Sequence, residues 1–181
     1  MTPLKKPDKQ PAPSAELDLD RWRTSTFEAL VEHILSRYHD SHREQLPELV
    51  RLAQRVERVH GNNPHAPAGL SAVLESIQED LEAHMHKEET ILFPMIVRGV
   101  IGMAYHPVEV MRGEHDRQTA ALAEIDRLTR NLTLPEGACR TWTALYQGLG
   151  ELKTDLFDHI ELENGVLFAR VEGSQGEAHH G

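Results

Sequence analysis

The 181-residue chain contains one cysteine, Cys139. It can close no internal disulfide and build no Cys-ligated zinc or iron–sulfur centre by itself, and a reducing, cytoplasmic setting is expected. Long apolar runs are missing too. The longest, Ile91 to Val97, is interrupted by Pro94 and is far shorter than the ~20 residues that span a bilayer. The start, Met1-Thr-Pro-Leu-Lys-Lys-Pro, has no apolar stretch behind its lysines, so neither a signal peptide nor a membrane partner is expected. Positive charge is scarce: 19 Lys+Arg face 29 Asp+Glu, a net −10, which argues against a nucleic-acid partner. No stretch alternates apolar and polar residues, so strands are not expected. What the chain has in excess is histidine, 12 residues.

Residues 1–20 are rich in Pro, Lys and Asp and read as a disordered lead. A Ser25-x-x-Glu28 capping box then opens a first helix, with Leu30, Ile34, Tyr38, Leu46, Leu49, Ala53, Val56 and Val59 at helical spacing and Pro47 expected to kink or restart it. The loop from His60 to Pro67 is a clear break. A second helix is expected over about 67–98, with Leu70, Leu74, Ile77 and Leu81 inside and a bend at Pro94. A third starts with Pro107 in its first turn, and a fourth follows a Thr133–Glu136 capping box and ends near Val171. The pattern reads as an all-α, up-down-up-down four-helix bundle over 21–173, with 174–181 as a disordered tail.

The histidines are ordered by an internal duplication. A shift of 75 residues carries His84, Glu88, Leu92 and Phe93 onto His159, Glu163, Leu167 and Phe168. A shift of 76 carries His39-Asp40 and Leu46 onto His115-Asp116 and Leu122. Each helical hairpin therefore supplies a His-Asp on its first helix and a His-x-x-x-Glu on its second. Residues i and i+4 share a helix face, so each His-x-x-x-Glu aims an imidazole and a carboxylate at one interior point. Two such hairpins facing each other place four imidazoles and two carboxylates in the core. Unpaired buried carboxylates are prohibitively costly, and two metal ions bridged by both glutamates neutralise them. Imidazole with carboxylate suits iron, manganese or zinc, and six side chains leave coordination positions open for a small ligand.

The stretches Arg37 to Glu48, His84 to Pro94, Glu114-His-Asp116 and Asp158 to Asn164 resemble the hemerythrin-like di-iron bundles and, within them, the repair-of-iron-centres (iron–sulfur cluster repair) proteins. The resemblance covers about Trp22 to Val171. It implies metal ligands His39, His84, Glu88, His115, His159 and Glu163, the six that the duplication selects. It also implies two non-haem iron ions bridged by oxygen and carboxylate, with nitric oxide or oxygen as ligand. The implied role is repair of iron–sulfur proteins damaged by nitrosative or oxidative stress, through iron donation, nitric oxide reduction, or both. A sensing or binding module without turnover is the alternative. Oxygen-carrying hemerythrins have a histidine where Thr119 stands and an aspartate where Asn164 stands, so reversible oxygen transport is disfavoured. Family members usually begin with a small domain bearing a Cys-Cys pair. Residues 1–20 hold neither its length nor its cysteines, and thiol-dependent activity is not expected of this chain.

The other candidates read more plainly. His42 is expected beside the ligands or on the surface, and His86 faces away from His84. His33, His60, His65 and His106 read as surface or loop, and His179 and His180 as tail. Glu89 and Glu114 read as solvated surface, with a relay role as the lesser reading. Asp40, Asp116 and Asp158 read as caps or surface pairs. Tyr38, Phe93, Trp142 and Phe168 read as core, the two Phe as a dry shell near the metals, and Cys139 as a small buried residue.

Overall fold

In the computed structural model, Ser14 and residues 17–178 are described, with side chains to residue 174. Most of the expected lead, and His179 and His180, lie outside the described residues. A short helix α1, Leu19–Arg23, comes first. Asp18 caps it by accepting from the Arg21 N–H at 3.0 Å. Four long helices follow. Helix α2 runs over 27–60, α3 over 70–97, α4 is Ile101–Thr129, and α5 runs over 140–178. Among the described residues there are no strands, and no helix is long and apolar enough to cross a membrane. Helix α2 packs on α3 and α5, and α4 packs on the same pair, so the chain goes up, down, up and down around one core.

Three of the four long helices contain one π-helical turn each: Leu35–His39 in α2, Glu88–Leu92 in α3 and Glu163–Leu167 in α5. Such widened turns mark functional positions in helices. Each of these holds or borders a residue of the histidine repeat. They also split the core. One apolar cluster, with Leu49, Leu74, Ile125, Trp142 and Leu149, fills the end near the α2–α3 loop. The other, with Trp22, Ile34, Tyr38, Phe93, Val108 and Phe168, fills the opposite end. The polar residues of the repeat lie between two dry plugs.

Several local expectations are corrected. Thr26, not Ser25, caps α2, accepting from the Ala29 N–H at 3.2 Å, while the Ser25 hydroxyl donates to the Trp22 carbonyl. Pro47 does not break α2. It lies on the exposed side of Asp40–His60, where water can take the carbonyl its missing N–H leaves free. Helix α3 starts at Leu70, after Gly69 takes φ +88°, and its irregularity begins at Glu88, ahead of Pro94. Helix α4 starts at Ile101, so Pro107 sits inside it rather than in its first turn. The Thr133–Glu136 box caps nothing: the Thr133 hydroxyl donates back to the Arg130 carbonyl at 2.6 Å, and α5 starts at Arg140. Val59, expected in the core, is 64% exposed. Helix α5 continues to Ala178, past the expected boundary at 173.

Candidate metal centre

The six residues of the duplication come together from all four long helices. His39 ends the π turn of α2, His84 precedes that of α3, Glu88 opens it, His115 lies midway along α4, and His159 and Glu163 repeat the α3 arrangement on α5. All six are at most 1% exposed. Their ligand atoms form two groups, His39, Glu88, His159 and Glu163 on one side and His84, Glu88, His115 and Glu163 on the other, each within a 4.8 Å span. Glu88 and Glu163 belong to both. Glu88 Oε2 lies 3.4 Å from the Nε2 atoms of both His39 and His84, and Glu163 lies 3.0 Å from His115 Nε2 and 3.1 Å from His159 Nε2.

The polar atoms facing this space lack partners. Both oxygens of Glu88, both of Glu163, and the Nε2 atoms of His39 and His159 are buried without a hydrogen bond. Unsatisfied buried carboxylate oxygens are costly and rare. Burial and the facing Glu163 push the Glu88 carboxyl well above its ordinary range. Burial, helped by the charge of neighbouring His159, takes His39 down to about 4, and burial chiefly does the same to His84, also about 4. The neutral imidazoles of His39 and His84, with the two facing carboxylates, form a donor set suited to cations.

The outward nitrogens are all engaged, and their partners fix the tautomers. His39 Nδ1 is 2.8 Å from Glu89, and His84 Nδ1 is 2.9 Å from Glu114. A carboxylate only accepts, so both Nδ1 atoms carry the proton and both Nε2 lone pairs point inward. His115 Nδ1 donates to Asn164 Oδ1 at 3.0 Å, and His159 Nδ1 is 3.3 Å from His42 Nε2. The Nε2 atoms of His84 and His115 then face each other as two acceptors 3.3 Å apart, an arrangement that a shared cation relieves. Arg43 binds Glu89, while Lys87 and Arg117 lie against Glu114, keeping both carboxylates ionised. Phe93 lies against His39 and Phe168 against His115, with ring centroids 5.8 and 5.7 Å apart.

Glu89 and Glu114 are therefore half-buried partners of the histidines, not solvated surface. One signal pointed to this: the same 75-residue shift carries Glu89 onto Asn164, and each meets the Nδ1 of its hairpin's first histidine. Glu88 and Glu89 thus lie at the inner and outer nitrogens of His39, as Glu163 and Asn164 lie at those of His115. His42 is fully buried on His159. Asp158 is buried as well, accepting from the backbone and hydroxyl of Ser14. His33 is half-buried within α2, not on the surface, whereas Asp40, Asp116, His65, His86 and His106 are exposed as expected. Cys139 is half-exposed, its sulfur 3.1 Å from His60 Nε2.

Residues 30–171 match the hemerythrin HHE cation binding domain. The chain belongs to the hemerythrin family. Its curated relatives include the iron–sulfur cluster repair protein YtfE of Yersinia pseudotuberculosis serotype O:1b (strain IP 31758) and that of Yersinia pestis (strain Pestoides F). Each is 54% identical over 150 residues, a stretch covering 83% of this chain and 68% of the relative. This hemerythrin chain thus falls among the repair proteins of the family. The cation-binding character of the domain accords with the two buried His/Glu groups.

Proposed function

We propose that His39, His84, Glu88, His115, His159 and Glu163 hold two iron ions, with Glu88 and Glu163 shared between them. We propose further that the chain serves in the repair of iron–sulfur clusters damaged by nitrosative or oxidative stress. The carrying observation is the set of four buried carboxylate oxygens without partners, lying between two pairs of inward-facing imidazole nitrogens. The repair role is supported by relatives named iron–sulfur cluster repair proteins that are 54% identical over 150 residues. When bound, iron supplies open positions for nitric oxide or oxygen and the capacity to exchange electrons. The chain's own residues do the rest. Glu89 and Glu114 hold the Nδ1 protons of His39 and His84 and keep their lone pairs inward. Phe93 and Phe168 exclude water from the side facing the second apolar cluster. Glu114 also lines a surface cavity of about 110 Å³ with Lys87 and Gln118.

Anaerobic addition of nitric oxide to the reduced, iron-loaded protein tests this reading. Nitrous oxide released over several turnovers marks reduction, in which two nitric oxide molecules take up two electrons and two protons to give nitrous oxide and water. Iron passing to an apo iron–sulfur protein marks donation. Uptake of nitric oxide with neither outcome favours a sensing module. If Glu88→Leu combined with Glu163→Leu still binds two irons per chain, the shared-carboxylate assignment is wrong.

A further inference from the structure

We propose that the rings of Trp22, His33, Tyr38 and His159 form an electron path between the protein surface and the buried centre, an inference that rests on reading the centre as redox-active iron. The four rings touch in series. Trp22 stacks on His33, with centroids 4.2 Å apart and planes 20° from parallel. His33 meets Tyr38 edge to face at 5.7 Å. Tyr38 lies parallel to His159, 5.3 Å away with planes 3° apart. His159 is one of the six inward-facing residues, and its Nε2 is 3.1 Å from Glu163. At the outer end Trp22 retains 8% exposure and, with His33 and Tyr38, lines a surface cavity of about 220 Å³ that also holds Arg21, Arg37, Asp18 and Asp158. The series therefore begins where a donor can reach it and ends on a ligand.

The duplication shows that helix packing alone does not demand these rings. The 76-residue shift that pairs His39 with His115 carries Tyr38 onto Glu114, so the second hairpin holds its centre without an aromatic there. His39 and His115 rest on phenylalanines instead. The other tryptophan, Trp142, contacts His60 and Tyr146 in the far apolar cluster, and among the described residues no ring contact joins that trio to a ligand. Arg21 lies 4.8 Å over Trp22 and Arg37 lies 5.1 Å over Tyr38. Cations at these faces oppose positive charge resting on either ring. The electron therefore tunnels through the series without leaving a radical on it. One electron leaves an external one-electron donor, one ferric ion becomes ferrous, no covalent bond forms or breaks, and no proton moves along the path.

Photoreduced flavin mononucleotide, an anionic donor, tests the path by stopped-flow reduction of the diferric protein without oxygen, followed through its near-ultraviolet absorption. Tyr38→Leu and Trp22→Leu each slow reduction several-fold, with iron content and midpoint potential unchanged. The double variant is no slower than the slower single one, as for sites in series. Tyr38→Phe, which keeps the ring, retains most of the rate, and Tyr105→Leu, outside the path, leaves it unchanged. Full-iron Tyr38→Leu and Trp22→Leu proteins that reduce at the parental rate overturn the path. A parent chain that holds no reducible iron overturns the reading of the centre instead. Trp22, at the outer end, keeps the test valid if Tyr38→Leu fails to fold.

Discussion

Replacing Glu88 by Gln acts differently on the metal-free and metal-loaded protein. In the metal-free chain both carboxylate oxygens of Glu88 are buried without partners and face Glu163. Its folded-state pKa is raised above the unfolded value, so the unfolded chain releases the proton first and stability falls as pH rises above about 4.5. Each pH unit spent between the two values costs about 1.4 kcal/mol, which bounds the loss at about 4 kcal/mol by pH 7.5. A buried glutamine left imperfectly bonded costs about 1–3 kcal/mol at every pH. Metal-free Glu88→Gln should therefore gain on the parent as pH rises from about 4.5 to 7.5, by at most about 4 kcal/mol. Calorimetry of chelator-treated proteins from pH 4.5 to 8 measures it. The variant is no more stable than the parent at the acid end and gains on it with pH, because the contributions of His39 and His84 are common to both proteins. Metal-loaded Glu88→Gln should show lost occupancy and a lower melting temperature than the loaded parent. A metal-free difference independent of pH would refute the argument that these carboxylates await cations.

Glu89→Ala and Glu114→Ala each remove the acceptor that fixes a histidine tautomer, and should weaken metal retention about 10–100-fold in chelator competition. Exposed Asp40→Asn should leave it unchanged. Phe168→Ala empties a fully buried site beside His115 and should cost about 3–5 kcal/mol in urea melts of the metal-free protein. The folded pKa values of His39 and His84, about 4, lie below the ordinary histidine value of 6.5. The unfolded chain thus takes up protons first, and metal-free stability is intact above pH 6.5 and falls between 6.5 and 4. The loss should be about 3 kcal/mol per histidine, and urea melts of His84→Gln against the parent across that window check it.

The helical pattern of the fold was legible because apolar spacing is a property of each helix taken alone. Leu30, Ile34, Leu46, Leu49, Leu74, Leu81 and Ile125 are all buried where a 3.6-residue period puts them. The misplaced boundaries share a cause. Pro47 reads as a kink and Pro107 as a first-turn residue, yet each lies inside a long helix, where tertiary packing outweighs the one hydrogen bond a proline removes. The π turns were invisible in the sequence, because one extra residue in a turn leaves the apolar spacing on either side nearly intact.

For the centre, the legible part was what the duplication repeats, and the hidden part was where the duplication has diverged. Spacing of i and i+4 put His84 with Glu88 and His159 with Glu163, and the structure brings them to 3.4 and 3.1 Å. The residues behind the imidazoles do not follow one rule. Glu89 and Asn164 are equivalent in the repeat and in role, although one is charged and the other neutral. His84 is backed by Glu114 and His159 by His42, and the repeat carries these onto Tyr38 and Gln118, neither of which bonds the matching Nδ1. Each of the two His/Glu groups is thus left with one imidazole held by a carboxylate and one held by a neutral group: His39 and His159 on one side, His84 and His115 on the other. A carboxylate behind a histidine makes its inward nitrogen a stronger donor than a neutral acceptor does. The two positions therefore receive matched donor strength although their sequences differ, and that balance emerges only once Glu89, Glu114, Asn164 and His42 are placed in space.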